Sequence, residues 1–182
     1  MTSSIVHDIS SIQNLHHYAK IHNLDTKEYE DYTMLYRRWT NRGTVAPYDT
    51  TTFRYCDGLI LEKQTHKMVC PGLTKMAEIC GSNRQRTLTL LEAHPFFKDT
   101  MLHSVRQHSL HDGTLIRLFY DNGQWRKATN RAIDANQASW GSVVSFGQLF
   151  DEVAEQCHLN YERLDKNHCY SIIVQHPLNR IV

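Results

Sequence analysis

Residues 110–130 read LHDGTLIRLFYDNGQWRKATN and contain the strongest short-range hairpin signal of the chain. The dipeptide Asn122-Gly123 lies between two apolar stretches, and both residue types accept the positive φ angles that a tight two-residue hairpin turn requires. We therefore expect Thr114 to Tyr120 to pair antiparallel with about Trp125 to Asn130.

Outside this hairpin, three short apolar runs predict further strands. Leu59 to Leu61 and Met68 to Cys70 flank the polar connector 63–67, a pattern that is typical of a second hairpin. Tyr170 to Val174 predicts a last strand, which ends before Pro177. The strands are thus expected to form antiparallel sheet.

Helical periodicity is expected over residues 9–39, as two amphipathic segments separated near residues 23–26. A later helix is predicted from Ser145 to Cys157, with Ser145 as its N-cap. Shorter helical patterns cover 72–80, 87–94 and 134–140. The apolar residues behind these predictions are Ile12, Leu15, Tyr18, Ala19, Tyr29, Tyr32, Tyr36, Trp39, Phe146, Leu149, Phe150 and Val153, and Trp125 and Trp140 are also expected in the core.

Together these elements predict an α+β fold with antiparallel sheet and N-terminal helices. We expect an N-terminal helical segment at 1–45 and a sheet-containing domain at 46–182. The sequence contains no Gly-rich phosphate loop, which argues against a P-loop kinase or a Rossmann enzyme.

Composition is that of an ordinary globular protein. The 182 residues include 20 basic and 19 acidic side chains, for a formal charge of +1, and 41% are hydrophobic. With a net charge this small, the protein has no overall electrostatic field that attracts nucleic acid. Any nucleic-acid binding must therefore come from a local patch of basic residues. No window approaches a membrane-spanning length and the N-terminus lacks a secretory pattern, so we expect a soluble, intracellular protein without membrane association.

The cysteines argue against a disulfide framework, because their number is odd and none form a Cys-x-x-Cys pair. The dipeptides Cys157-His158 and His168-Cys169 leave a zinc site open as an alternative. A strand would offer only one ligand per dipeptide, since adjacent residues point to opposite faces. We therefore expect free, half-buried thiols and no metal site; the five cysteines are Cys56, Cys70, Cys80, Cys157 and Cys169.

Four segments in sequence order, covering roughly residues 53–182, carry a resemblance to a known family. The first segment consists of residues 56–62 together with Val69-Cys-Pro-Gly-Leu-Thr-Lys75. The other three are Leu110-His-Asp-Gly113, Trp125-Arg-Lys-Ala-Thr-Asn-Arg131 and the C-terminal run from Tyr170 to Val182. They resemble the phage-type RNA ligase 1 family of covalent nucleotidyltransferases, whose Lys-x-Asp-Gly motif supplies the lysine that attacks a nucleoside triphosphate. The resemblance implies an ATP-grasp-like ligase fold, ATP and Mg²⁺ as cofactors, and a nucleotide or RNA end as partner.

The resemblance also implies which residues contact the nucleotide. Lys75 matches a family lysine and would contact a phosphate, or would only snorkel from the start of a helix. Arg131 would bind phosphate or cap a helix C-terminus. Asp112 and Gly113 would hold the backbone turn at the pocket. Arg54 lies three residues before the position at which the family arginine is expected.

Two further positions have structural alternatives. Arg117 could be an inward phosphate ligand, although an outward charge at a sheet edge is favoured. Asn179 and Arg180 would belong to the strand that supports the pocket floor.

Several departures from the family pattern matter for function. Leu110 occupies the position of the lysine, and Asp57 stands where an arginine is expected. No carboxylate lies near residues 173–175, where the family's third motif has an acid. The sequence stops at Val182, within a predicted strand, so we expect the domain to be incomplete at its C-terminus.

These departures decide the expected function. Leucine has no nucleophilic atom, so lysine adenylylation at position 110 is excluded under this alignment. We expect a catalytically degenerate RNA-ligase-like domain that binds a nucleotide or RNA end, or that serves as a module within an assembly of other protein subunits. One alternative is an active ATP-dependent RNA ligase or nucleotidyltransferase with another nucleophile: His108, His111, Lys75 or Lys127.

A second alternative is a non-catalytic protein-interaction domain, in which the Asp-Gly dipeptides are only turns. That alternative predicts no basic pocket around Lys75 and Arg131. Both nucleotide hypotheses require these side chains to converge with Asp112 within reach of one triphosphate.

Overall fold

The structure is a computed structural model, and it describes residues 15–21, 24–37, 56–73, 111–141 and 143–179. All of these except His111 belong to one compact unit, Met1–Lys75 with Asp112–Val182. A second unit, Met76–His111, lies outside the described residues apart from His111.

The first sheet has four antiparallel strands in the order β1-β2-β3-β4. A tight connection between the first two strands is closed where the Tyr29 N–H donates to the Tyr32 carbonyl oxygen at 2.8 Å. Its strands are β1 (Leu24–Glu28), β2 (Tyr32–Arg37), β3 (Leu59–Glu62) and β4 (Met68–Cys70).

The second sheet has three antiparallel strands, β5 (Thr114–Asp121), β6 (Gln124–Ala128) and β7 (Tyr170–Val174). Their order is β6-β5-β7, so β5 is the central strand. The β5–β6 turn has positive φ at both central residues, 48° at Asn122 and 80° at Gly123, as the Asn-Gly signal predicts.

Two α-helices among the described residues flank the sheets, α1 (Leu15–Ile21) and α2 (Phe146–Gln156). Helix α2 begins with a capping box, in which Ser145 and Gln148 satisfy each other's backbone N–H groups. In the described part of the chain, the short 3₁₀ helices Ala135–Gln137 and Tyr161–Arg163 lie on either side of α2.

The layers pack in the order α1, first sheet, second sheet, α2, because alternate residues of each central strand face different cores. In β2, Leu35 faces the core shared with α1, whereas Met34 faces the core between the sheets. In β5, Phe119 faces the core between the sheets, whereas Leu118 faces α2. Three hydrophobic cores therefore join four layers.

The α+β class, the antiparallel pairing, both predicted hairpins and the last strand are confirmed. The helix after Ser145 is also confirmed, and its predicted apolar face is the one that packs on the second sheet. The helices predicted at 87–94 and over nearly all of 72–80 lie outside the described residues.

Three predictions are wrong. Residues 24–37 form β1 and β2 instead of continuing a helix, so one sheet takes strands from both sides of position 45. The helical pattern at 134–140 yields only the 3₁₀ turn Ala135–Gln137. Trp140 is 71% exposed and does not enter the core.

Candidate functional site

Arg117 lies in the middle of β5 and is completely buried. Its guanidinium group donates hydrogen bonds to the carbonyl oxygens of Gly58, of Pro71 at 3.1 Å and of Thr129 at 2.7 Å. Gly58 precedes β3, Pro71 follows β4 and Thr129 follows β6. The Arg117 side chain therefore links the ends of strands from both sheets. The favoured expectation of an outward edge charge is wrong, since β5 is central, and the structure gives Arg117 a structural role instead of a phosphate contact.

Arg131 lies three residues beyond β6, in a turn where the Thr129 hydroxyl accepts its backbone N–H at 3.1 Å. Its guanidinium Nη1 is 3.3 Å from Oδ1 of Asp57 and its centre is 4.8 Å from the centroid of the Tyr36 ring. The side chain is 45% exposed. Arg131 therefore presents a cation to solvent, held by an ion pair and by stacking on an aromatic ring.

Asp112 and Gly113 lead directly into β5. The Asp112 side chain accepts the Gly113 N–H at 2.9 Å, and the Asp112 carbonyl oxygen accepts from the Gln175 side chain at 2.9 Å. A Cβ at position 113 would lie 2.6 Å from the Val174 carbonyl oxygen and 2.7 Å from a methyl carbon of Ile173. Only glycine therefore allows the backbone to pass this close to β7, while the Asp112 carboxylate stays exposed.

The neighbouring residue Thr114 is buried, and its hydroxyl accepts a hydrogen bond from the Asn179 side-chain amide. Asn179 thus contacts the start of β5, but it lies beyond the end of β7 and outside any strand, so the expectation that it forms part of a supporting strand is wrong. Arg180, the other residue expected there, lies outside the described residues.

Asp112, Gly113, Thr114 and Arg131 lie at one end of the second sheet. Because β6 and β7 both run antiparallel to β5, the end of each lies beside the start of β5. The Asp57 segment of the first sheet is also near, since a Cβ on Gly58 would lie 3.1 Å from the Asn130 Cα. We call Asp57, Asp112, Gly113 and Arg131 the candidate site.

Of the implied nucleotide contacts, the structure describes three. Asp112, Gly113 and Arg131 share this end of the sheet, whereas Lys75, Arg54 and the lysine position Leu110 lie outside the described residues. The convergence of Lys75 with Arg131 therefore stays a prediction. The pairing of Asp57 with Arg131 was not expected, and its only sequence signal is the replacement of the family arginine by an acid.

A contact that sequence reasoning missed lies between the two sheets. The sulfurs of Cys70 and Cys169 are 3.1 Å apart, and the Arg117 guanidinium is 3.7 Å from the Cys70 sulfur. Hydrogen bonding to Cys169 and burial raise the pKa of the Cys70 thiol. The hydrogen bond from Cys70, reinforced by the Arg117 charge, lowers the pKa of Cys169 below the usual thiol value.

Mg²⁺ is the metal that the resemblance implies for the candidate site. Nowhere in the described part of the chain do three His, Cys, Asp or Glu side chains come together as metal ligands. Mg²⁺ commonly uses one or two carboxylates together with substrate phosphates. The exposed Asp112 carboxylate suits that mode only alongside a bound nucleotide.

Part of the chain is similar to a viral protein. Over 41 residues the chain is 44% identical to the Immediate-early protein ICP-46 homolog of Invertebrate iridescent virus 3. This match covers 22% of the chain and 9% of the viral protein. No family model matches the chain, and no solved structure matches it.

None of the described helices has the length and apolarity needed to cross a membrane.

Proposed function

We propose that the chain is an RNA-ligase-like nucleotidyltransferase domain that has lost its lysine nucleophile and binds a nucleotide or an RNA end. The supporting observation is that Asp112-Gly113 enters the central strand of an antiparallel sheet at the end where Arg131 also lies. Two antiparallel sheets pack face to face and share a hydrophobic core.

Binding without transfer follows from the residues present. Leu110 stands in the position of the lysine, and leucine cannot form a phosphoramide. Arg131 retains a guanidinium that can contact phosphate oxygens through two parallel hydrogen bonds. When ATP and Mg²⁺ are bound, Asp112 would supply a carboxylate to the metal shell and Arg131 would hold a phosphate.

The ion pair with Asp57 opposes such binding. A phosphate must compete with the Asp57 carboxylate for Arg131, at the cost of an exposed ion pair of about 0.2–1 kcal/mol. Asp57 therefore weakens phosphate binding in this chain.

The proposal is tested by calorimetric titration of the purified chain with ATP and Mg²⁺. We expect Arg131→Gln to weaken binding by roughly 10- to 100-fold, because a charge-assisted hydrogen bond is lost. We expect Asp57→Asn to strengthen it by about 2- to 5-fold. The matched control is Arg163→Gln, which removes an exposed arginine near the opposite end of the second sheet. Equal effects of the two arginine variants would reject Arg131 as a phosphate contact.

Covalent transfer is measured separately with α-labelled ATP or GTP, Mg²⁺ or Mn²⁺, and denaturing electrophoresis. The chain is expected to remain unlabelled, whereas Leu110→Lys is expected to acquire a label that Arg131→Gln removes. A labelled band from the unaltered chain would favour the active enzyme with another nucleophile, and its stability to acid and base would identify the linking atom.

The second candidate function is a protein-interaction domain, and it has one observation in its favour. Trp140, Val143 and Leu178 are 71%, 104% and 63% exposed, and large exposed apolar side chains are common at binding surfaces. Absence of nucleotide binding, together with an unlabelled Leu110→Lys variant, would favour this function.

A further inference from the structure

Cys70 and Cys169 are far apart in sequence but in contact in the fold. They are separated by 99 positions, with Cys70 at the end of β4 and Cys169 immediately before β7. The distance between their sulfurs, 3.1 Å, exceeds a disulfide bond of about 2.05 Å by only about 1 Å. A small movement of the two side chains would therefore bring the sulfurs to bonding distance.

The buried Arg117 side chain places a positive charge beside the two sulfurs. The fully buried Arg117 guanidinium donates to backbone carbonyls and to the Cys70 sulfur, and its buried Nε has no hydrogen-bond partner. Among the described residues no carboxylate forms an ion pair with Arg117. Because an uncompensated buried charge is costly, a negative charge on the Cys169 sulfur is favoured.

We propose that Cys70 and Cys169 form a redox site, in which a small-molecule disulfide such as oxidised glutathione converts the thiol pair into a reversible disulfide between the two sheets. Neither cysteine belongs to the candidate site. It does not depend on the function assigned to the chain.

The accessibility of the two thiols sets the order of steps. Cys169 is partly exposed, whereas Cys70 is completely buried. The Cys169 thiolate attacks one glutathione sulfur, and the glutathione disulfide bond breaks with release of one glutathione thiolate. The Cys70 sulfur then attacks the Cys169 sulfur, forms the protein disulfide and releases the second glutathione. The two cysteine protons leave with the two glutathione thiols, so two protein thiols are oxidised and one disulfide is reduced.

The two thiols are unequal in a way that suits these steps. Hydrogen bonding from Cys70, with the nearby Arg117 charge, lowers the pKa of Cys169 and thereby favours the attacking thiolate. The pKa of Cys70 is raised, chiefly by its hydrogen bond to Cys169. Cys70 therefore keeps its proton until the second step.

The first test is oxidation of the folded, fully reduced chain with excess oxidised glutathione, followed by peptide mapping. The expected result is loss of two of the five thiols and a Cys70–Cys169 peptide without retained glutathione. Cys157→Ser is the matched control, because it removes an exposed thiol outside the pair and should leave the product unchanged. A disulfide that uses another cysteine, or five thiols that persist in the folded protein, would overturn the proposal.

Single variants separate a true pair from two unrelated thiols. Cys70→Ser should trap glutathione on Cys169, because the resolving sulfur is gone, whereas Cys169→Ser should leave the buried Cys70 unmodified. Equal retention of glutathione on Cys169 in the unaltered chain and in Cys70→Ser would contradict the proposal.

The midpoint of thermal unfolding tests the disulfide without any variant. Because the Cys70–Cys169 disulfide closes a long loop, we expect oxidation to raise this midpoint by roughly 5–15 °C and reductant to reverse the increase. An unchanged or lowered midpoint, with the disulfide mapped, would show that the bond strains the fold and would overturn its assignment to the native pair.

Discussion

At position 113 the structure has no room for a side chain. A Cβ there would lie 2.6 Å from the Val174 backbone oxygen, and a backbone atom within a paired strand cannot move aside cheaply. We expect Gly113→Ala to lower the free energy of unfolding by about 1–3 kcal/mol, as overpacking does. Denaturant unfolding measures the change.

The comparison variant is Gly123→Asn in the β5–β6 turn. A Cβ there meets nothing within 4 Å, and asparagine tolerates the observed φ of 80°. Its cost should therefore come from the left-handed backbone alone and stay at or below about 1 kcal/mol. Equal costs at the two positions would show that the close approach of Gly113 to β7 is not what constrains that residue.

Tyr32 links the first sheet to the β5–β6 turn, since its hydroxyl donates to Asp121 and accepts from the Asn122 amide at 3.2 Å. Burial and the hydrogen bond to Asp121 raise the pKa of Tyr32. A raised pKa in the folded state means that the stabilisation is complete below the unfolded value of about 10 and is lost as pH rises through the folded pKa.

We therefore expect Tyr32→Phe to cost about 1 kcal/mol at neutral pH, from loss of the hydrogen bonds. The difference between the chain and the variant should shrink as the pH rises above about 10. Urea unfolding at several pH values measures both quantities. A difference that stays constant through the alkaline range would contradict the assigned role of the hydroxyl group.

At the scale of the element, helix α2 depends on its N-terminal capping box. The Ser145 hydroxyl accepts the Gln148 N–H at 3.2 Å, and the Gln148 side chain accepts the Ser145 N–H at 2.9 Å. We expect Ser145→Ala to cost about 1 kcal/mol, because a helix N–H loses its acceptor. Ser145→Gly should cost only about a few tenths of a kcal/mol. Thermal unfolding measures the loss of stability in each variant. A larger loss for Ser145→Gly than for Ser145→Ala would argue against the capping role of the Ser145 hydroxyl.

The strand β2 shows why one element was misread from sequence. Tyr32 and Met34 face the core between the sheets, whereas Leu35 faces α1, so the strand is buried on both sides. Such a strand has no alternation of polar and apolar residues, and its tyrosine spacing also matches a helical face. Pairing with β1 and β3 decides the conformation, and this pairing is not visible in the local pattern.

At the scale of the whole molecule, the core between the two sheets should make them unfold together. Phe119 lies at this core, with 1% of its surface exposed. We expect Phe119→Ala to cost about 3–5 kcal/mol and to lower the stability of both sheets equally. Tryptophan fluorescence and far-ultraviolet circular dichroism should report one shared transition.

The control for this prediction is Val143→Ala, since Val143 is fully exposed and should change stability by less than about 0.5 kcal/mol. Separate transitions for the two probes in Phe119→Ala would show that each sheet forms its own folding unit.

Local signals in the sequence were sufficient to predict the elements that are stabilised by contacts between nearby residues. Asn122-Gly123 sets the β5–β6 turn through its own backbone angles, and Ser145 with Gln148 starts α2 within one helical turn. These interactions join residues at most a few positions apart, so residue type and spacing specify them.

The contacts at the candidate site and at the thiol pair could not be predicted from local sequence, because they form only in the assembled fold. Arg117 reaches a carbonyl 59 positions away, Cys70 and Cys169 are 99 positions apart, and Asp57 pairs with Arg131 across the two halves of the unit. No local pattern encodes these contacts, because they exist only when the two sheets pack face to face. The buried charge, the thiol pair and the ion pair at the candidate site are therefore consequences of packing between distant segments.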